Sequence, residues 1–199
     1  MPLFPFTITN LSCTRAKRNL FAPVNFTLDA GGVFILHGEN GSGKSTLLRA
    51  LAGLFPYNGA PLSSYLYLGH ANALHPSMTA IEHLDFWRAL YATQQTGNDG
   101  QKSTNELILD TLGLTAQRHQ LAAQISNGQK RRLSFARLLV QQADVWLLDE
   151  PQAALDAAGV QMLLKLVGQH TQNGGAAIIA SHDDLAINSA QIIQLQAAA

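Results

Sequence analysis

"VFILHGENGSGKSTL", residues 33 to 47, decides the fold. A short apolar run with strand character breaks into a glycine-bearing turn, and the turn opens a stretch with helical spacing. Gly38, Gly43, Lys44 and Ser45 satisfy G-x-x-x-x-G-K-[ST] in the strand-turn-helix context that pattern requires. The glycines let backbone N–H groups converge on phosphate oxygens, and the helix N-terminus adds partial positive charge. The contact set expected for a nucleoside triphosphate is continuous: Gly38, Glu39, Asn40, Gly41, Ser42, Gly43, Lys44, Ser45 and Thr46. Within it Lys44 reaches the outer phosphates and Ser45 is a ligand for Mg²⁺.

Outward from this loop, strand-like runs alternate with helical patterns, which predicts an α/β domain. "FTITNLSC", "VNFTLDA", "GVFILHG" and "SYLYLGH" read as strands. Leu47, Leu48, Leu51 and Leu54 fall on one face of the helix after the loop, with Gly53 placed to end it. From Thr79 the pattern is helical. Thr79 and Glu82 have capping-box spacing, and Ala80, Leu84, Trp87 and Tyr91 recur on one face. Residues 93 to 103 read as a loop, and "TNELILDTLGL" as a helix with a capping signal at Ser103 and Glu106. "ISNGQKRRLSFARLLVQQ" opens the longest helical stretch; strands then return in "VWLLDE", "AAIIAS" and "QIIQLQ", with a helix over 158 to 172. The expected organisation is one domain over 1 to 199, with a catalytic α/β core at 1–78 and 143–199 and a helical subdomain at 79–142.

Composition narrows the function classes. The 199 residues are 47% hydrophobic and 13% charged, which suits a folded core rather than a disordered tail. Thirteen basic side chains balance thirteen acidic ones, so no net positive field is available to hold nucleic acid. The basic run Lys130 to Arg132 reads as a solvated helix face. Cys13 is the only cysteine, which excludes an intrachain disulfide and agrees with a reducing compartment. "MPLFPFTITNLSC" lacks a cationic start and reads as a first strand, not a signal. No apolar run approaches the ~20 residues that span a bilayer, so a membrane role has to come through a partner.

Further residues carry chemistry. "VWLLDE" delivers Asp149 to the end of a buried strand, where it can complete a Mg²⁺ shell, and Glu150 beside it can polarise an attacking water. His182 follows "AAIIAS", another strand end, where it either contacts the γ-phosphate or holds the water and Glu150 in register. Ser126 and Gln129 form an S-x-x-Q capping box, an ordinary helix start that is also an anion site, with Asn127 and Gly128 between them. Lying in the helical part, that site is expected to serve the phosphate loop of a second copy.

With these motifs in order, nearly the whole chain resembles the ATP-binding subunit of an ABC transporter. "GENGSGKST" matches Walker A, "ISNGQKRR" the signature, "VWLLDE" Walker B, "ALD" with Asp156 the D-loop, and "SH" at 181 to 182 the H-loop. The resemblance implies a P-loop fold with a mixed sheet, a small antiparallel N-terminal part and an inserted helical subdomain. It also implies a head-to-tail homodimer, in which Ser126 and Gly128 of one copy face the γ-phosphate held by Lys44 of the other. "YLGH", "MTAIEHLDFW", "LLDEPQAALDAAGV" and "HTQNGGAAIIASH" are similar, more narrowly, to the ATPase subunit of the cytochrome c maturation system, the haem exporter ATP-binding protein. That likeness implies a peripheral subunit on the cytoplasmic face of the inner membrane, an integral membrane permease as partner, ATP and Mg²⁺ as ligands, and no nucleic acid.

The chain also departs from the family pattern. Ala71 stands where the Q-loop glutamine belongs, between His70 and Asn72. No aromatic in "TRAKRN" is placed to stack on adenine, which leaves Arg15 or Arg18 for that contact. The signature opens Ile-Ser-Asn, and only "FPYNGAPLSS" separates the first helix from "SYLYLGH". His70, His75 and His83 are not read as haem ligands, since no C-x-x-C-H is present. Phe86, Trp87, Leu90 and Tyr91 either form an apolar patch for the membrane subunit or pack internally. Two other functions compete with an energy-coupling ATPase: a clamp acting on nucleic acid or ribosomes without a membrane partner, and a nucleotide switch that hydrolyses poorly.

Overall fold

The computed structural model describes residues 4–15, 18–92, 104–183, 185–187 and 189–196. They form two compact units, one of Met1–His70, Ala143–Pro151 and Leu163–Ala199, the other of Ala71–Gln142 and Gln152–Met162.

In the first unit β1 (Phe6–Leu11) pairs antiparallel with β4 (Val24–Leu28), and β2 (Thr14–Arg15) with β3 (Arg18–Asn19) forms a two-residue ribbon. The main sheet holds β5 (Val33–His37), β6 (Tyr65–Leu68), β7 (Val145–Asp149), β8 (Ala176–Ala180) and β9 (Gln191–Gln194). Its order is β6-β7-β8-β5-β9 and every pairing is parallel, so the antiparallel strands of the expected mixed architecture occupy sheets of their own. β7 and β8 are buried at every position and β5 at all but its last, as near-continuous apolar runs in a parallel sheet require. The register matters more than the order. Leu36 of β5 and Asp149 of β7 both lie opposite Ala180 of β8, so the three chains leave the sheet at one level. In an open parallel sheet that carboxyl edge is where ligands bind.

The helix α1 (Lys44–Leu51) packs on β7 and β8 through Leu47, Leu48 and Leu51, all fully buried. Each such burial stabilises by about 1.5–3 kcal/mol. Leu54 does not join them and is 62% exposed. The helix has ended by then: Gly53 N–H donates to Ala50 O and Leu54 N–H to Arg49 O, the paired bonds of a left-handed C-terminal cap, and they turn Leu54 off the apolar face.

The second unit is helical: α2 (Ala80–Ala92), α3 (Asn105–Thr111), a 3₁₀ turn (Thr115–Gln117), α4 (Asn127–Ser134) and α5 (Ala136–Val140). α6 (Ala157–Gln172) begins in this unit and continues into the first. The Thr79–Glu82 box closes in both directions, at 2.7 and 3.3 Å. Ala80, Leu84, Trp87 and Tyr91 are all buried, while Phe86 and Leu90 are 53% and 49% exposed, so the four aromatic and apolar residues divide between inside and outside.

Three local expectations change. The cap of α3 is Thr104, whose Oγ1 accepts from Leu107 N–H at 3.2 Å; Ser103 lies outside the described residues. The stretch from 126 to 142 is two helices, and α6, with 16 residues, is the longest helix described. Ser134 Oγ donates to Arg131 O, and Phe135 and Leu138 bond three residues back, which tightens the turn and breaks the run. Arg131 is buried rather than solvated, donating to Asn72 Oδ1 at 3.2 Å with its guanidinium 5.8 Å from the Phe135 ring.

Two histidines make stability depend on pH. His83 Nδ1 bonds Thr79 O, and its Nε2 accepts the His75 N–H. His170 stacks on Trp146 with ring centroids 3.9 Å apart and planes 3° from parallel. Burial is the leading cause that lowers both from the ordinary 6.5. The unfolded chain therefore takes up protons first as pH falls, so stability is full above about pH 6.5 and declines from there toward the lowered folded values. The urea midpoint should drop between pH 7.5 and 5, with a shallower drop in His83→Gln.

Candidate active site

The loop after β5 carries its own order. Ser42 N–H donates to Glu39 O at 3.1 Å, and Lys44 Nζ donates to Gly38 O at 2.6 Å and Glu39 O at 3.1 Å. The ammonium is thus held on carbonyls of the loop it serves. Gly43, the residue before α1, has φ 100°, and a methyl group there would lie 2.5 Å from Cδ1 of the fully buried Phe21. Gly43→Ala should cost roughly 2–5 kcal/mol in denaturant unfolding, from left-handed strain plus overpacking. Ser42 Oγ is buried with no partner among the described residues. Beside it, Glu39, Asn40, Gly41 and Ser42 face Gln194, Leu195 and Gln196 across an open cleft of about 330 Å³.

The acidic pair lies at the end of β7, which flanks the central strand β8 on the side opposite β5. Asp149 is buried, and its Oδ1 accepts the Ser45 hydroxyl at 2.8 Å, across 104 residues of sequence. Its Oδ2 accepts Tyr67 Oη–H at 3.2 Å, and Tyr67 Oη in turn accepts Arg49 Nε–H at 3.4 Å. Burial is the leading cause that raises the Tyr67 phenol, which therefore stays a donor at neutral pH. Tyr67 and Arg49 are site neighbours that motif reading missed. The signal was present in part, since Ser45 and Arg49 are four apart on α1 and share a face.

Glu150 takes φ 47°, a left-handed conformation that costs a non-glycine residue of order 1–3 kcal/mol. Its N–H bonds Ala180 O at 3.0 Å, tying the turn to the end of β8. The carboxylate Oε2 meets His182 Nδ1 at 2.9 Å, and His182 Nε2 lies 3.4 Å from Asp183 Oδ1. An ionised carboxylate only accepts, so Nδ1 carries the proton toward Glu150. The structure therefore brings Lys44, Ser45, Asp149, Glu150 and His182 to the carboxyl edge of one sheet. Ser45 and Asp149 form an oxygen donor set that suits a hard cation. Among the described residues no group of three or more His, Cys, Asp or Glu is placed to hold a metal ion.

Ala71, Ser126 to Gln129 and Asp156 belong to the second unit. Ser126 Oγ accepts from Gln129 N–H at 3.2 Å, and Gln129 Oε1 accepts from Ser126 N–H at 2.9 Å, closing the capping box at α4. At Gly128 a methyl would lie 2.9 Å from Ala154 O. Asp156 Oδ1 accepts Gly159 N–H at 2.8 Å and so caps α6. Ala71 is exposed, while its neighbour Asn72 is engaged by Arg131. In the first unit Arg15 and Arg18 pair across the β2–β3 ribbon. Among the described residues no helix is long and apolar enough to cross a membrane.

Comparison with known proteins gives the family. The family model for ABC transporters matches residues 21–153. The cytochrome c biogenesis ATP-binding export protein CcmA of Rhodobacter capsulatus is 40% identical over 192 residues, covering 94% of this chain and 86% of that protein. The protein of the same name from Cereibacter sphaeroides is 39% identical over 193 residues, 95% and 88% of the two chains. Among solved structures, a dimeric post-hydrolysis ATP-binding cassette with ADP and Pi superposes with TM-score 0.77 at 19% identity, covering 96% of this chain and 94% of that one.

Proposed function

This chain belongs to the ABC transporter family and is an ABC ATPase, and from that membership we propose that it drives an exporter serving cytochrome c biogenesis, working as a homodimer on an integral membrane permease at the cytoplasmic face. The relatives named for that export system support the process. One observation carries the chemistry: Ser45 with Asp149, and Glu150 with His182, meet at 2.8 and 2.9 Å at the edge where the phosphate loop begins.

In this reading the residues from Gly38 to Thr46 wrap the triphosphate and Lys44 exchanges its loop carbonyls for the outer phosphates. Ser45 and Asp149 would hold Mg²⁺, which would supply positive charge against the charge that develops on the phosphates. Glu150 accepts a proton from the attacking water, and the hydrogen bond from His182 Nδ1 fixes the carboxylate in position. Ser126, Asn127, Gly128 and Gln129 present the positive end of α4 to the γ-phosphate of the partner copy, with Asp156 in the turn beside them. The solved cassette whose title gives it as a dimer supports the pairing of two copies.

The test is ATP hydrolysis by the purified chain, alone and with membranes containing its permease. Turnover above background in either preparation, and loss of c-type cytochromes in cells relying on a Glu150→Gln variant, are the expected results. ATP binding with background turnover in both preparations would leave a nucleotide switch. Co-purification with nucleic acid and absence from membranes would favour a clamp instead.

A further inference from the structure

Asp149 is restrained from two sides. Ser45 Oγ holds Oδ1 at 2.8 Å, and Tyr67 Oη holds Oδ2 at 3.2 Å from the neighbouring strand β6, with Arg49 Nε donating to the phenol oxygen at 3.4 Å. A carboxylate at a strand end rotates about its last torsion unless both oxygens are engaged. A phenol that accepts from a guanidinium is polarised into a better donor, so the chain of bonds from Arg49 through Tyr67 to Asp149 is cooperative. Arg49 sits one turn after Ser45 on α1, so a single helix supplies both the hydroxyl on one oxygen and the support behind the other.

We propose that Tyr67, backed by Arg49, is a positioning residue for the magnesium site: it pins one oxygen of Asp149 so that the other stays aimed at the cation that Ser45 shares. The inference rests on the assignment of Ser45 and Asp149 to Mg²⁺. Tyr67 touches neither nucleotide nor water in this scheme; it acts through Asp149. The restraint comes from β6, ahead of Ala71 in the chain, and so does not draw on position 71.

The experiment compares the full-length wild type, Tyr67→Phe, Arg49→Gln, the double variant of these two and Asp149→Asn by equilibrium dialysis with ATP, across a Mg²⁺ titration and in EDTA, alongside steady-state turnover. Tyr67→Phe deletes only the hydroxyl. It should raise the Mg²⁺ concentration for half-maximal ATP binding by about 10-fold, the low end for losing an outer partner of a metal ligand. ATP affinity in EDTA should not move, and kcat at saturating Mg²⁺ should stay within about twofold. Arg49→Gln should shift in the same direction by about threefold, and the double variant should go no further than Tyr67→Phe alone. An unshifted Mg²⁺ dependence in folded Tyr67→Phe, or an equal loss in EDTA and in Mg²⁺, overturns the proposal. Should Tyr67→Phe not fold, an unshifted Arg49→Gln overturns it. If Asp149→Asn is also unshifted, the magnesium assignment itself has failed and the positioning role falls with it; if only Asp149→Asn shifts, the positioning role alone is wrong.

Discussion

Glu150→Gln lowers ATP turnover by roughly 10²-fold or more while ATP binding persists, in the expected result for a general base replaced by its amide. The amide is nearly isosteric and its oxygen can still accept from His182 Nδ1, which stands 2.9 Å from Oε2 in the wild type. The left-handed backbone at Glu150 and its bond to Ala180 are main-chain features that the substitution leaves in place. What is lost is the capacity to take a proton. Size-exclusion chromatography of this variant with saturating Mg²⁺ and ATP should show a dimer, because in the proposed two-copy arrangement hydrolysis is what lets the copies separate. Normal turnover would remove Glu150 from the role of base, and a strictly monomeric elution would remove the two-copy site.

Lys44→Met is expected to have a comparable effect by another route. Phosphoryl transfer relies on fixed positive charge where negative charge accumulates, and deleting one such donor costs about 3 kcal/mol, or ~10²-fold in rate. Methionine keeps the apolar stem and removes the ammonium, so the hydrogen bonds to Gly38 O and Glu39 O disappear as well. The loop should loosen in addition to losing its cation. Hence ATP affinity should fall with turnover, whereas Glu150→Gln separates the two. A dialysis experiment on both variants distinguishes a binding defect from a chemical one.

Motifs whose meaning lies within a few residues were legible. The box at Ser126 and Gln129, the box at Thr79 and Glu82, and the buried face Ala80, Leu84, Trp87 and Tyr91 are set by short-range backbone geometry, and each forms as the spacing predicts. The apolar runs of β5, β7 and β8 likewise indicate parallel strands covered on both faces. Errors arose where a competing local bond or a distant partner decided. Ser134 bonding back to Arg131 O broke a helix whose periodicity continues past it. The cap at Gly53 turned Leu54 outward although it matches the helical stripe. Arg131 looked like part of a solvated basic run, yet Asn72 and Phe135 give it a buried place.

By itself the sequence determined the elements and the chemical kinds: a phosphate loop between strand and helix, two acids after an apolar run, a histidine after another, and a capped helix elsewhere. Those follow from torsional preference, side-chain period and the donors each residue carries. Only the tertiary structure decided which of them meet. The register that sets Leu36 and Asp149 both opposite Ala180 brings residues 104 positions apart to 2.8 Å, and the neighbouring strand supplies Tyr67 to the second oxygen of Asp149. Such meetings depend on inter-strand hydrogen bonding and packing between remote segments, and a one-dimensional pattern has no term for either.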